Sequence, residues 1–100
     1  MSLPLIFKPA ARLEFEEAVA WYEAQRPGLG REFATEATLA LDRAQARPEM
    51  FRRVRGRARK IRLGRFDKYS IYFAVKDNAF AVLSVFHGAR NPAELHRRLE

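Results

Sequence analysis

Residues 52–90, RRVRGRARKIRLGRFDKYSIYFAVKDNAFAVLSVFHGAR, begin as a basic run and continue as two apolar stretches with the character of β-strands. The run from Arg52 to Lys68 contains nine Arg and Lys residues and one acid, Asp67, which gives it a formal charge of +8. A chain of 100 residues has room for one modest core, so the neighbouring apolar stretches must supply much of it. The sequence therefore predicts a dense positive charge mounted on a β-sheet.

An alternation of period two predicts the strands of this segment. Within residues 59–63, Ile61 and Leu63 point to one side while Lys60 and Arg62 point to the other. Residues 69–76 alternate in the same way, with one face made of Tyr69, Ile71, Phe73 and Val75. Residues 77–78, Asp-Asn, suit a two-residue hairpin turn because both residue types tolerate positive φ. Residues 80–86 are apolar on both faces, so we expect this strand to be covered on both sides.

The first half of the chain changes from a strand pattern to a helical one. Residues 3–7 form a short apolar run, and residues 9–25 carry a helical stripe of apolar residues: Phe15, Ala18, Val19 and Tyr22. Trp21 and Tyr22 are interpreted as core anchors. Residues 26–30, RPGLG, predict a tight reversal into a second helix over residues 31–46. Its buried face is expected to contain Phe33, Ala37, Ala40, Leu41 and Ala44. A short terminal helix is predicted over residues 93–99, with Leu95 and Leu99 on one side.

These elements predict a single α+β domain over residues 1–100. The order is a strand, an antiparallel helix hairpin and a three-stranded antiparallel meander, forming one sheet with the helices packed on one face. The opposite face is expected to carry Lys60, Arg62 and Tyr72.

Composition excludes several classes of protein. There is no cysteine and there are only two histidines, His87 and His96, so we predict no disulfide, no metal site and no cofactor. The first residues, MSLPLIFKP, lack the cationic start of a signal peptide, and no apolar stretch is long enough to span a membrane. We expect a cytoplasmic protein.

The charge is divided unevenly along the chain. Residues 1–51 have a net charge of −2 and residues 52–100 a net charge of +9. The chain has fifteen Arg against four Lys, and Arg is suited to bidentate contacts with phosphate and carboxylate groups. This asymmetry indicates a nucleic acid, an acidic protein partner or both, whereas the simpler interpretation is a solvated basic surface.

Three segments together resemble the ParE/RelE superfamily of toxins from type II toxin–antitoxin modules: AVAWYEAQRPGLGREF, GRARKIRLGRFDKYSIYFAV and VLSVFHGARNP. The PGLG reversal and the strand-end HGARNP resemble the ParE-like, plasmid-stabilisation branch more closely than the RelE branch. The resemblance implies a small toxin held inactive by a cognate acidic antitoxin. ParE-like members are associated with inhibition of DNA gyrase. RelE-like members cut mRNA on the ribosome, and members without toxicity would act as antitoxin-binding modules.

Candidate site residues follow from these alternatives. The residues expected to bind a target or an antitoxin are Arg57, Arg59, Lys60, Arg62, Arg65, Tyr72, His87 and Arg90. Cleavage of RNA would need a base, an acid and cations on the phosphate, and the candidates for these roles are His87, Arg90, Lys60, Arg62 and Tyr72. The sequence leaves open which sheet face His87 occupies, and a structural role at the strand end is the competing interpretation. An antitoxin segment that folds on binding is expected to pair its acids with residues 52–65, as a helix in a groove or as an added strand.

Overall fold

The structure is a computed structural model and describes residues 3–99. The elements are, in chain order, β1 (Leu5–Phe7), α1 (Pro9–Gln25), α2 (Leu29–Ala46), a short 3-10 helix (Pro48–Met50), β2 (Arg53–Arg55), β3 (Ala58–Arg62), β4 (Tyr69–Lys76), β5 (Ala79–His87) and α3 (Pro92–Leu99). One sheet has the strand order β1-β5-β4-β3-β2, with β1 parallel to β5 and every other pair antiparallel. The predicted α+β class is confirmed.

The helix hairpin α1–α2 covers one face of the sheet. All five residues predicted for the inner face of α2 are buried there: Phe33, Ala37, Ala40, Leu41 and Ala44. Phe33 stacks on Tyr22 of α1 with ring centroids 4.9 Å apart, and Phe73 stacks on Phe80 across β4 and β5 at 4.5 Å. These large buried rings make the core between the hairpin and the sheet.

The connection between α1 and α2 depends on two glycines and one carboxylate. Gly28 lies in the left-handed region with φ 88°, where a side chain would strain the backbone. The Glu23 carboxylate accepts hydrogen bonds from the backbone amides of Gly28 and Gly30, both at 3.0 Å. A Cβ placed on Gly30 would lie 2.6 Å from the carbonyl oxygen of Val19, so glycine lets the two helices approach closely.

Helix α3 covers the opposite face of the sheet. Leu95 and Leu99 pack there with Tyr72, Phe86 and Ala58 in a second apolar cluster. The sequence predicts helices on one face of the sheet, whereas in the structure the α1–α2 hairpin covers one face and α3 covers the other. The cover on both sides of β5 that its apolar sequence predicts is confirmed.

Further differences concern β2, Trp21 and the pairing of β4 with β5. The meander has a fourth strand, β2, which is exposed throughout and carries no apolar alternation. Trp21 is 36% exposed, whereas Tyr22 is in the core; neighbouring helical residues point about 100° apart, so both could not face the sheet. A bulge shifts the β4–β5 register between Tyr72 and Phe73.

The predicted turn between β4 and β5 is confirmed. Asp77 and Asn78 have φ values of 53° and 60°, and they join the directly paired residues Lys76 and Ala79. Positive φ at both central positions is typical of the type I′ turn, whose twist matches that of the strands. None of the helices within residues 3–99 has the length and apolar character that a membrane span requires.

Candidate basic binding surface

The basic run is divided between the two faces of the sheet by the alternation of β3. Arg59 shares a face with Ile61, which is buried against the helix hairpin, while Lys60 and Arg62 share the face of α3. We call the first part the arginine cleft; it has a volume of about 440 Å³ and is lined by Pro48, Glu49, Arg53, Arg57, Arg59 and Val75. We call the second part the lysine face; it consists of Arg52, Lys60 and Arg62.

The arginine cleft is built by the β2–β3 hairpin and the 3-10 helix. Arg53 and Arg59 are direct cross-strand partners, and Gly56 and Arg57 form the two-residue turn between the strands. Gly56 has φ 55°, as the first central residue of a type II′ turn requires. The Arg59 Nη1 atom donates a hydrogen bond to the carbonyl oxygen of Phe51 at 2.6 Å, which fixes the guanidinium at the wall of the cleft.

The lysine face is formed by Lys60 and Arg62 of β3 and by Arg52, which immediately precedes β2. The Lys60 Nζ atom lies 5.9 Å from the ring centroid of Tyr72, its partner on β4. Burial lowers the pKa of Lys60, and the nearby positive charges of Arg62 and Arg52 lower it further. Burial raises the pKa of the Tyr72 hydroxyl, and only 8% of this residue is exposed because α3 packs on it.

Two shallow depressions adjoin the lysine face. One, of about 340 Å³, is lined by Met50, Phe51, Arg52, Lys60 and Arg62. The other, of about 310 Å³, is lined by Lys60, Arg62, Leu63, Gly64, Asp67, Tyr69 and Ser70. The second depression has cations, a carboxylate and a hydroxyl group within one small volume, so it suits a ligand that carries negative charge and hydrogen-bonding groups.

His87 lies on the side of the helix hairpin, which answers the question that the sequence left open. Its ring contacts Tyr69 and Trp21, with centroid distances of 4.8 and 5.6 Å. The Nδ1 atom accepts a hydrogen bond from the amide of Ala89 at 3.0 Å. The alternation of side chains along β5 does not predict this face. Because of the bulge, Leu83 packs with the α3 cluster, whereas Val85, two residues later, lies in the core beneath the hairpin.

Arg90 belongs to a cluster around the buried carboxylate of Glu14. Arg90 Nη1 and Arg98 Nη1 donate to Glu14 Oε2 at 2.8 and 2.7 Å. The Ser84 hydroxyl and the Val85 amide donate to Glu14 Oε1 at 2.9 and 3.0 Å. The cluster lies at the edge of β5 beyond the part that pairs with β1. A second carboxylate, that of Glu94, accepts from Arg90 Nη2 at 2.7 Å, and the pKa of Arg90 is raised mainly by this bond.

Arg65 is held by the helix hairpin. Its Nη2 atom donates to Glu32 Oε1 on α2 at 2.7 Å, and its guanidinium lies 4.4 Å from the ring centroid of Phe66. The bond to Arg65 is the main reason why the pKa of Glu32 is lowered. Arg65 therefore connects the loop after β3 to α2.

The structure brings some predicted site residues together and separates others. Lys60, Arg62 and Tyr72 form one neighbourhood, and Arg57 and Arg59 form another on the opposite face. His87 lies on the hairpin side, away from Lys60. The five candidates for RNA cleavage are thus distributed over both faces of the sheet. Among the described residues, no group of His, Asp and Glu side chains is arranged to hold a metal ion.

Sequence reasoning did not single out four residues: Arg52, Arg53, Glu14 and Arg98. Arg52 and Arg53 lie within the segment 52–65 that is expected to pair with an antitoxin, but no apolar alternation indicates that a strand begins at Arg53. For Glu14 a signal exists, because it lies three residues after Ala11 and four before Ala18, on the buried side of α1. A carboxylate at such a position needs buried partners, and Arg98 is one of them.

Comparison with protein families gives a match to the model described as ParE toxin of the type II toxin–antitoxin system, parDE, over residues 5–92. The chain belongs to the ParE toxin family. The ParE match includes the helix hairpin and the whole sheet, and it ends where α3 begins. A comparison of this ParE-family chain with curated proteins gave no significant match.

Proposed function

We propose that this ParE-family toxin inhibits DNA gyrase in the cytoplasm and that a cognate acidic antitoxin neutralises it. The observation that carries the proposal is the lysine face, on which Arg52 lies beside Lys60 and Arg62 of β3 and its carbonyl oxygen accepts a hydrogen bond from the Lys60 amide. Because the sheet already orders the backbone that carries these cations, little ordering of the chain is needed when a partner binds, so a stable interface can form without a chemical reaction. Membership of the family supports both the toxin role and the antitoxin.

The placement of His87 supports a binding toxin over a nuclease. General acid–base catalysis needs its groups within hydrogen-bonding reach of one reacting phosphate. His87 lies against Trp21 on the hairpin side, whereas Lys60 and Arg62 lie on the side of α3. Inhibition of an enzyme by binding requires no such convergence.

The depression beside Asp67 favours one alternative function, cleavage of mRNA on the ribosome. Lys60 and Arg62 could neutralise a phosphate there, and Asp67 and Ser70 could take part in proton transfer. Alternatively, Lys60 could act as the base and leave the phosphate to Arg62, because its lowered pKa leaves more of the amine unprotonated and able to accept a proton.

A supercoiling assay with purified gyrase tests the leading proposal. The native toxin should inhibit supercoiling or trap cleaved DNA, and the double variant Lys60→Ala, Arg62→Ala should lose at least about tenfold in potency. The matched control is Lys8→Ala, Arg43→Ala, which removes the same two charge types from exposed positions away from the sheet cations. No effect of a stoichiometric excess of native toxin on gyrase would exclude this target. Cleavage of mRNA on translating ribosomes in a parallel assay would establish the alternative.

A further inference from the structure

We propose that the arginine cleft binds a free nucleoside diphosphate. In this assignment the three arginines of the cleft hold the two phosphates, the Glu49 carboxylate accepts hydrogen bonds from the ribose hydroxyls, and Pro48 and Val75 contact the base. The inference goes beyond the proposed function and does not depend on it, because it concerns a small ligand on the face of the sheet opposite the lysine face.

The cleft contains three guanidinium groups that repel one another. Arg53 and Arg59 are directly opposite on β2 and β3, and Arg57 adds a third positive charge at the turn. Like charges placed in this way destabilise a pair of strands. Within residues 3–99, neither the Arg53 nor the Arg57 side chain has a hydrogen bond or an ion pair. An anion bound between them would replace this repulsion with attraction.

Two linked phosphates match the charge of these arginines. A nucleoside diphosphate carries about three negative charges near neutral pH, because its terminal phosphate has a second pKa of about 6. Guanidinium groups bind phosphate oxygens through paired, charge-assisted hydrogen bonds. The bond from Arg59 to the Phe51 carbonyl occupies one of the five N–H donors of this arginine, so Arg59 can bind phosphate and keep that bond.

The walls of the cleft are joined to each other by contacts of Phe51. This residue follows the 3-10 helix, and its ring packs on that of Phe73 in β4 with centroids 6.0 Å apart. Its carbonyl oxygen accepts the hydrogen bond from Arg59 of β3 at 2.6 Å. The 3-10 helix is thus tied to two strands of the sheet, and a ligand that binds between them has little of the chain to order.

The carboxylate of Glu49 indicates what the ligand carries beside its phosphates. Glu49 lines the same cleft, and its contact with Arg47, at 3.7 Å, is longer than a hydrogen bond. A carboxylate repels a bare anion, but it accepts hydrogen bonds from hydroxyl groups. A ribose offers two neighbouring hydroxyls. A ligand with a ribose next to its phosphates therefore gains from the arginines and from Glu49.

Pro48 and Val75 form the apolar part of the cleft. The flat face of a nucleobase can lie against them, whereas a sugar phosphate would leave them uncovered. The volume of about 440 Å³ falls within the range of ~300–1,000 Å³ that is typical of small-molecule sites. A continuous nucleic-acid strand fits this cleft less well, because its repeated phosphates would pass the Glu49 carboxylate.

Isothermal titration calorimetry of the purified toxin with ADP and with GDP tests this inference. The native toxin should bind at least one of them about fivefold more tightly than inorganic pyrophosphate, which lacks the ribose and the base. The double variant Arg53→Ala, Arg57→Ala keeps the bond from Arg59 to Phe51 and should bind the nucleotide about tenfold more weakly than native. The control variant Lys60→Ala, Arg62→Ala removes two charges from the opposite face and should bind within about twofold of native.

The variant Glu49→Gln distinguishes a nucleotide site from a general anion site. Removing a negative charge should tighten the binding of pyrophosphate. The binding of the nucleotide should instead weaken about threefold, because a neutral amide accepts the ribose hydroxyls less strongly than a carboxylate does. Glu16→Gln, the same change at an exposed position of α1, should alter neither.

Several results would overturn the inference. One is that neither ADP nor GDP binds the native toxin, and another is that the variants of both faces weaken binding equally, since the effect would then be one of net charge. Tighter nucleotide binding by Glu49→Gln would contradict the role of the ribose. If a single-stranded oligonucleotide of about ten nucleotides binds more tightly than ADP and GDP, and the Arg53 variant loses this binding, the cleft is a nucleic-acid site instead. The supercoiling assay decides the gyrase proposal independently of all these results.

Discussion

The Glu14 carboxylate of α1 accepts a hydrogen bond from the Arg98 guanidinium of α3 at 2.7 Å, although these two helices pack on opposite faces of the sheet. The contact passes around the edge of β5 that β1 leaves uncovered beyond Val82. There the carboxylate also accepts a hydrogen bond from the backbone amide of Val85, which follows the bulge in β5. One side chain thus joins both helical layers to the sheet.

We expect Glu14→Gln to destabilise the fold. The amide would keep the size of the side chain but would turn a donor either toward both guanidinium groups or toward the Val85 amide, and it would remove the charge that Arg90 and Arg98 pair with. Removing one partner of a buried ion pair costs ~3–5 kcal/mol, and the partial exposure of both arginines reduces this to about 2 kcal/mol of unfolding free energy. Urea denaturation measures the change. Glu16→Gln, the same substitution at an exposed position of α1, should change stability by less than ~0.5 kcal/mol.

Gly30→Ala should destabilise the helix hairpin. The added methyl group would lie 2.6 Å from the Val19 carbonyl oxygen and 3.1 Å from the Cβ of Glu23, so α2 must move away from α1. Such overpacking typically costs about 1–3 kcal/mol. Thermal unfolding followed by circular dichroism measures it. Gly88→Ala is the comparison, because its added Cβ would meet only the Lys68 carbonyl at 3.6 Å; an equal loss in both variants would contradict the close-approach explanation.

The contribution of Glu23 to stability should depend on pH. Hydrogen bonds from the Gly28 amide, and next from the Gly30 amide, lower the pKa of Glu23 below its ordinary value of 4.5. The unfolded chain therefore binds the proton more readily, so the stabilisation is present above about pH 4.5 and is lost as the pH falls through the lower folded pKa. Denaturation of native protein and of Glu23→Gln between about pH 3 and pH 7 should show a stability difference that shrinks at the acidic end. A difference independent of pH would exclude this origin.

The pKa of Lys60 should rise when a neighbouring charge is removed. Burial is the main cause of its lowered pKa, and Arg62 is the first of the two charged neighbours that add to it. Arg62→Gln should therefore move the pKa of Lys60 part of the way back toward 10.5, while burial keeps it below that value. NMR titration of the lysine side chains after reductive methylation with carbon-13 measures the pKa in both proteins. Arg43→Gln on α2 should leave it unchanged.

Much of the fold could be predicted because long periodic segments carry their own pattern. The inner face of α2, the limits of β4 and the turn at Asp77 and Asn78 all agree with the structure. These elements depend on local spacing and local backbone preference, which the sequence displays directly. The terminal helix could be predicted for the same reason, since Leu95 and Leu99 are one turn apart.

The rest depends on contacts that no local pattern contains. β2 is recognisable only from its pairing, because Val54 alone interrupts its arginines. The face of His87 depends on the bulge opposite Tyr72, which changes parity in the middle of β5. The burial of Glu14 depends on Arg98, far along the chain. Long-range partners of this kind decide which charges are structural and which remain for binding.

The parallel pairing of β1 with β5, in which Leu5 lies opposite Phe80, also bears on how the chain is made. The β3–β4–β5 meander closes through contacts between strands that are consecutive in sequence, whereas β1 must wait for β5, which is synthesised much later. Contacts of high sequence separation slow folding, and during synthesis they cannot form until the distant segment has emerged from the ribosome. The nascent toxin therefore completes its sheet only after β5 has been synthesised.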